Sequence, residues 1–526
     1  MEKFLPISVR DFEQMITGNF VYVDKSRYVY EMARIPQAYY FLARPRRFGK
    51  SLLASTLKAL FEGRKDLFKG LWVETSGWDW KPHPVLEIDF SEIDAADTAT
   101  LQESLSIALD RAADVHGLQL SHRLVSDKFV ELILAAAKTR GAKAVVLIDE
   151  YDKPIISHLG KGEEAMRIAK QNRDLLKTFF GVLKGAHVAA ALRFVFITGV
   201  SKFSRVSIFS ELNNLQDLTM HAAYAGLLGY TQEELEQNFG DRIQEFARVA
   251  GKSRDEILHD LREWYNGYRF TEENLLVYNP FSIINAFSEY KFKQFWFETG
   301  TPGFLVNLIK EKDYSIPNIE NIQISDTAFS TYELENLRLE ALLFQTGYVT
   351  IHDYDGVLYR LGYPNQEVKA AFSSYLYDSM VDIADTMLKA QFKRLHQYLA
   401  QEDLAQFIET ANAILSAIPY PHIGEQDERY YHTVFYLMVA ASGALVQTEP
   451  LSSRGRMDLA VEFKDKVYVI ELKCNQPAAA AIAQIREKGY HEKYLQSGRK
   501  IFLLGINFDT QKRAVAEWRV EETAAE

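Results

Sequence analysis

Short apolar runs alternate with amphipathic stretches through the first 200 positions of this chain. Tyr39–Ala43, Pro84–Phe90, Ala144–Ile148 and Arg193–Thr198 have the length of strands. Between them, Leu52–Phe61, Leu101–Ala113 and Lys128–Thr139 repeat their apolar positions at helical spacing. Strands separated by helices predict a parallel sheet covered on both faces. Near position 225 the pattern changes. Residues 231–375 read as mostly helical and aromatic-rich, with no comparable strand until Tyr348–Ile351 and Leu358–Leu361. Those two flank Asp355-Gly356, a hairpin signal, so the middle region predicts a helical lid or winged-helix-like module. Helical text continues over 366–417, and Pro419 and Pro421 break it. Residues 428–526 then read helix, strand pair, helix, strand. The expected division is 1–225, 226–375 and 376–526, the last an α/β domain with a helical lead-in.

Composition narrows the class. A chain of 526 residues exceeds one hydrophobic core, so two or three domains are expected. No stretch approaches the roughly 20 apolar residues that cross a bilayer, and MEKFLPISVRDFEQM carries charges where a signal peptide needs an apolar core. A lone cysteine, Cys474, excludes an intramolecular disulfide and suits a reducing compartment. The expectation is a cytoplasmic protein with no membrane partner. The net charge of −11 argues against a protein that coats nucleic acid nonspecifically. Residues 375–526 hold 17 Lys+Arg against 21 Asp+Glu, a balance of −4. Any nucleic-acid contact there requires a local patch, a metal bridge or an oligomer.

Two motifs carry phosphate chemistry. The first is Arg44-Pro-Arg-Arg-Phe-Gly-Lys-Ser51, between an apolar strand and a Leu-rich helix. Gly49-Lys50-Ser51 match the end of a phosphate-binding loop, but Arg44 stands where the first glycine belongs. Backbone N–H groups at the helix start would cradle phosphate oxygens. Lys50 would reach the β- and γ-phosphates of a nucleotide, Ser51 would ligate Mg²⁺, and Arg46, Arg47 and Gly49 complete the binding loop. The partner motif is the apolar strand ending in Asp149-Glu150. Asp149 would hold the Mg²⁺ shell, and Glu150 would polarise the attacking water. Thr198, at the end of a third strand, could sense the γ-phosphate. A helix start and a strand ending in solvated carboxylates would explain each piece singly, but not their pairing.

Together with Tyr22-Val-Asp24-Lys25, Ile148-Asp149-Glu150-Tyr151-Asp152, Thr198-Gly-Val-Ser-Lys202 and Ser207-Ile-Phe-Ser-Glu-Leu-Asn-Asn-Leu215, these residues resemble the bacterial AAA-ATPase-like proteins, relatives of the archaeal-type and STAND NTPases. The resemblance implies a P-loop NTPase parallel sheet and ATP binding. It also makes Arg44 the expected residue at its position, and Arg205 a candidate arginine finger.

The second motif lies near the C-terminus. In Val467–Lys473 alternate residues share a face, so Glu471 and Lys473 point one way and Tyr468, Ile470 and Leu472 the other. The run Asp458–Phe463 also alternates, and a turn at Lys464-Asp465-Lys466 would bring Asp458 beside Glu471. Two carboxylates and the Leu472 carbonyl suit Mg²⁺ or Mn²⁺, which would polarise a phosphate, with Lys473 stabilising the developing charge. An exposed hairpin with surface charges is the plainer alternative; charge at the end of so apolar a strand argues against it. Gly455-Arg-Met-Asp458, Glu471-Leu-Lys473, Gln484-Ile485, Tyr490 and the helix at Glu428-Arg-Tyr-Tyr-His432 resemble the PD-(D/E)xK nucleases. That implies a C-terminal restriction-endonuclease-like α/β domain, with Glu428 as an added acidic residue and Gln484 and Tyr490 facing substrate or bracing the site. His432 and Cys474 read as structural, and Phe295-Trp-Phe297 and Trp264-Tyr265 as core.

The resulting expectation is an ATP-binding, Mg²⁺-dependent nuclease acting on nucleic acid, with DNA the favoured substrate, in a chain that could self-associate. A regulatory NTPase whose nuclease-like domain only binds is the alternative, and the acidic balance of 375–526 favours it. A helicase-like motor lacks the motifs it would need.

Overall fold

The computed structural model describes residues 3–202, 209, 212, 214–297, 303–312, 314–325, 329, 334, 337–381, 386–418, 428–448 and 459–523. Arg205, much of Ser207–Asn213, Pro419, Pro421 and Gly455–Asp458 lie outside them. The chain forms two compact units. One comprises 1–295, 302–308 and 324–359; the other comprises 296–301, 309–323 and 360–526. No helix among the described residues is long and apolar enough to cross a membrane.

The first unit is built on strands β1 (Ala38–Ala43), β2 (Val85–Asp89), β3 (Ala144–Asp149), β4 (Leu192–Gly199) and β5 (Leu215–Asp217). They pair in parallel in the order β2-β3-β4-β1-β5. Every residue of β1 and β3 is buried, because helices cover both faces of the sheet. The predicted helices extend to Lys50–Phe61, Thr98–Val115 and Val125–Arg140. Order matters for function: β4 returns between β1 and β3, so the loop leaving β1 and the acidic end of β3 open on one crevice beyond the strand ends. Sequence periodicity did not show β5, three residues long and too short for a pattern to register.

After the sheet come helices Gln232–Ala250, Arg254–Tyr265 and Pro280–Glu289. Thr231 with Glu234, and Ser253 with Glu256, form reciprocal capping boxes that start the first two. Their apolar faces meet in a core containing Leu235, Phe239, Ile243, Leu261 and Phe287. Val23 of the N-terminal segment joins that core. Further along are β6 (Ile322–Ser325), β7 (Thr350–Tyr354) and β8 (Leu358–Gly362), the last two flanking the Asp355-Gly356 turn. Asp355 Oδ1 accepts from Val357 N and Leu358 N and fixes that turn.

In the second unit the helical text of 366–417 resolves into Gln366–Val381, Thr386–Ala400 and Leu404–Ser416. A mixed sheet follows, from β9 (Leu445–Gln447), β10 (Leu459–Glu462), β11 (Lys466–Cys474), β12 (Lys500–Asp509) and β13 (Ala514–Thr523), in the order β13-β12-β11-β10-β9. Only β11 and β12 run parallel; the crossover between them is the helix Ala478–Lys488. That helix lies so close to the sheet that a Cβ on Gly505 of β12 would stand 2.4 Å from the Ala478 carbonyl oxygen. The helix Glu428–Ala441 covers the opposite face, where Tyr431 stacks on Phe508 at 5.2 Å.

Candidate functional site

The loop after β1 is held from three sides. Arg44 N donates to Gly199 O at 3.2 Å, extending the β1–β4 pairing past the strand end. Phe48 is buried and meets Tyr268 and Phe270 edge-on, at 4.8 and 5.3 Å. Gly49 then turns the chain into the helix Lys50–Phe61 with φ of 94°, a conformation that suits glycine. Arg46 and Arg47 are exposed at the loop's crest.

Lys50 is buried, and its ammonium donates to Arg44 O and Pro45 O, both at 3.0 Å. Burial lowers its pKa, and the nearby carboxylates, Asp149 foremost, oppose that. Ser51 Oγ donates to Asp149 Oδ2 at 2.6 Å. Asp149, 8% exposed, is pushed up to about 6 by burial, against the pull of Ser51 and Lys50. A hydroxyl and a carboxylate in mutual contact, the carboxylate desolvated, form an oxygen donor set that fits a hard divalent cation. Glu150 follows with φ of 51°, half-buried beside the crevice. Thr198 is fully buried, and its hydroxyl has no hydrogen-bond partner among the described residues. Beside the loop an apolar cleft is lined by Val23, Leu52, Leu53, Leu228 and Tyr230, with Lys25 at its edge.

On β11, Glu471 is 1% exposed. Its Oε1 accepts from Lys473 Nζ at 3.1 Å and from the Gln484 amide of the crossover helix. The expected hairpin is present: Phe463 N donates to Lys466 O at 2.8 Å, and the pairing runs from Glu462↔Val467 to Leu459↔Ile470. Asp458, the next residue, lies outside the described residues. Tyr490 is interior, clustered with Val467, Val469 and Ile485 beneath Glu471. Glu428 stands on the other face, its Oε1 3.6 Å from His432 Nε2, both lining a cavity of about 300 Å³ with Leu459 and Leu472. The fold thus gathers Glu471, Lys473 and Gln484 at one point and sets Glu428 across the sheet from them. Among the described residues no three His, Cys, Asp or Glu side chains gather as a metal cluster.

Comparison with known proteins bears on both sites. Residues 6–209 match the model of a predicted AAA-ATPase family, and residues 426–518 match the PD-(D/E)XK nuclease superfamily. An uncharacterized protein from the vnfD 5′ region of Azotobacter chroococcum mcd 1 is 38% identical over 531 residues, covering 99% of both chains. The chain belongs to the AAA-ATPase-like family, with a PD-(D/E)XK nuclease superfamily domain at its C-terminus.

In this AAA-ATPase-like chain two residues matter that the motif reading did not assign. Arg44 is 1% exposed, with its guanidinium 4.2 Å over the Phe270 ring and Nη1 donating to Thr219 O at 2.5 Å and Ala43 O at 3.1 Å. Burial drags its pKa down to about 9, with Asp217 opposing. It is a buried strut for the loop. Asp152 is also buried, and Oδ2 accepts from Val200 N at 3.0 Å, Ser201 N at 2.6 Å and Ser201 Oγ at 2.7 Å. It ties the exit of β3 to the exit of β4 just past Thr198. Its only sequence signal was its place in Asp149-Glu-Tyr-Asp152, which a surface turn would also explain.

Proposed function

We propose that this protein binds ATP with Mg²⁺ and that its nucleotide state governs a Mg²⁺-dependent nuclease acting on DNA in the cytoplasm. The observation carrying the nucleotide half is the contact of Ser51 with Asp149 beside a buried Lys50. Lys50 would exchange two loop carbonyls for the β- and γ-phosphates. Ser51 and Asp149 would hold Mg²⁺, which supplies charge neutralisation between the phosphates. Glu150 would take the proton of the attacking water, and the Thr198 hydroxyl would donate to the γ-phosphate. Gly49 and the loop amides would bind phosphate oxygens, with Arg46 adding positive charge. The apolar cleft beside Leu52 would take the base.

The nuclease half is supported by the convergence of Lys473 and Gln484 on a buried Glu471. Asp458 and Glu471 would bind Mg²⁺, or Mn²⁺ in its place, as the Lewis acid for a scissile phosphodiester. Lys473 would steady the nucleophile and the phosphorane charge, Gln484 would orient Glu471, and Tyr490 would brace the strand from below, while Glu428, across the sheet, would stay outside this site. The segments 1–225, 226–375 and 376–526 would act as switch, transmitter and effector, and homo-oligomers would help concentrate basic groups on an acidic chain.

The test is cleavage of plasmid and single-stranded DNA with and without ATP, crossed with Mg²⁺ and Mn²⁺, for wild type, Lys50→Ala and Lys473→Ala. Metal-dependent cutting lost in Lys473→Ala, with ATP binding intact, supports the reading. Wild type that binds ATP but cuts under no condition points to the second reading, a regulatory NTPase with a binding-only nuclease-like domain, which the −4 balance of residues 375–526 favours.

A further inference from the structure

The phosphate loop carries more positive charge than a nucleotide-binding loop needs, and its arginines are placed differently. Arg44 is committed to Thr219 and Phe270. Arg46 and Arg47 stand exposed at the crest, and Arg10 lies near enough for its charge to be felt at Arg47. Arg46 is felt at Lys50, and the Glu150 carboxylate is felt at both Lys50 and Arg47. Arg47 holds φ of 67°, and Glu150 holds φ of 51°. Left-handed backbone at residues other than glycine is strained, and such strain concentrates where a site is held ready. The Arg47 guanidinium rests 4.9 Å over the ring of Phe281, in the first turn of the helix Pro280–Glu289 capped by Asn279. Among the described residues no carboxylate forms an ion pair with it. A cation–π contact at an exposed site is weak and yields readily to a forked, charge-assisted bond to phosphate.

We propose that Arg47 is a catalytic arginine supplied in cis by the phosphate loop itself: it rests on Phe281 between turnovers and moves onto the γ-phosphate as ATP is hydrolysed. The proposal rests on the nucleotide reading above. In the step it serves, water oxygen bonds to the γ-phosphorus and the bond from that phosphorus to the β–γ bridging oxygen breaks. The electron pair leaves with ADP, and the water proton passes to the Glu150 carboxylate. Negative charge grows on the bridging and γ-phosphate oxygens, where the Arg47 fork would neutralise it. Each subunit then needs no arginine from a neighbour.

The experiment compares wild type, Arg47→Ala and Arg47→Lys in the full chain. It measures MgATP affinity, turnover, and affinity for ADP with aluminium fluoride, a mimic of the transition state. Arg47→Ala is expected to hold MgATP within ~5-fold of wild type, while turnover falls ~10²–10³-fold. It should also lose the tighter binding that aluminium fluoride confers on ADP, and Arg47→Lys should recover part of both. Mixing Arg47→Ala with Lys50→Ala should give no more activity than the two alone, since neither subunit can complete the other. Wild-type turnover in Arg47→Ala, or recovery of activity in the mixture, overturns the cis assignment while leaving nucleotide binding standing. Wild type that binds MgATP without turnover overturns this assignment together with the hydrolysis reading, and wild type that does not bind MgATP overturns the nucleotide reading beneath both.

Discussion

Ser51 and Asp149, 98 positions apart in sequence, share a 2.6 Å hydrogen bond at the mouth of the parallel sheet. The bond joins the first turn of the helix after β1 to the last residue of β3. It holds a hydroxyl and a carboxylate where one cation could take both.

Asp149 sets a pH dependence of known sign. Its pKa rises from 3.8 to about 6 on folding, so the native state holds its proton more tightly than the unfolded chain. The associated stability is fully present below pH 4 and is lost as pH rises through about 6. The cost near pH 7 is ~3 kcal/mol at 1.36 kcal/mol per unit. Asp149→Asn should therefore raise the melting temperature of the nucleotide-free protein at pH 7–8 and flatten its change between pH 4 and 6. Thermal melts of both proteins across that range check this; identical profiles would sink it.

Lys50→Ala removes the donor that now serves Arg44 O and Pro45 O and that would bind phosphate. ATP affinity should fall by ~10²-fold or more, as expected for loss of a charge-assisted contact. Titration calorimetry with MgATP reads this directly. Unchanged affinity would remove the loop from the site.

Arg44→Gly would restore the usual loop residue and is expected to damage this protein. It deletes the guanidinium over Phe270 and leaves Thr219 O without that donor. The loss should be ~3–5 kcal/mol, the range for breaking a buried, well-packed polar contact. Urea unfolding would register it as an earlier first transition.

Gln484→Ala takes one donor from Glu471, leaving Lys473. Metal-dependent cleavage should weaken ~10–100-fold, the usual effect of losing an outer hydrogen bond to a ligating group, while MgATP affinity stays unchanged. Equal loss of both activities would show a general folding defect instead.

Gly505→Ala tests the close approach of helix and sheet directly under Glu471. The added methyl meets the Ala478 carbonyl oxygen, a backbone atom that can move only with its helix. A loss of ~1–3 kcal/mol is expected from such overpacking. Thermal melting and limited proteolysis of the C-terminal region would detect it, and a neutral result would mean the helix shifts freely.

Much of the architecture was legible because buried strands write unbroken apolar runs and their neighbours write helical spacing. β1 to β4 and three of the helices between them were readable within a few residues, as was the hairpin before Glu471; the helix Glu163–Gly181 ahead of β4 was not. The register of β7 was less so: the apolar run Tyr348–Ile351 suggested a strand two residues early, but the strand is Thr350–Tyr354, with His352 and Asp353 exposed. β5, β9 and β13 wrote no signal, two being three residues long and the third largely exposed.

By itself the sequence determined which elements form and which residues are chemically able to act: a Gly-Lys-Ser at a helix start, a carboxylate pair at a strand end, and Glu471 and Lys473 on one strand face. Those are local properties, set by spacing and side-chain chemistry. Only the tertiary structure decided that Ser51 meets Asp149, because strand order is a global choice that returns β4 between β1 and β3. It also decided that Arg44 points into the core while Arg47 lies on Phe281, and that Gln484 reaches Glu471 while Glu428 stands across the sheet. Such placements depend on which faces meet in space, and linear spacing does not encode that.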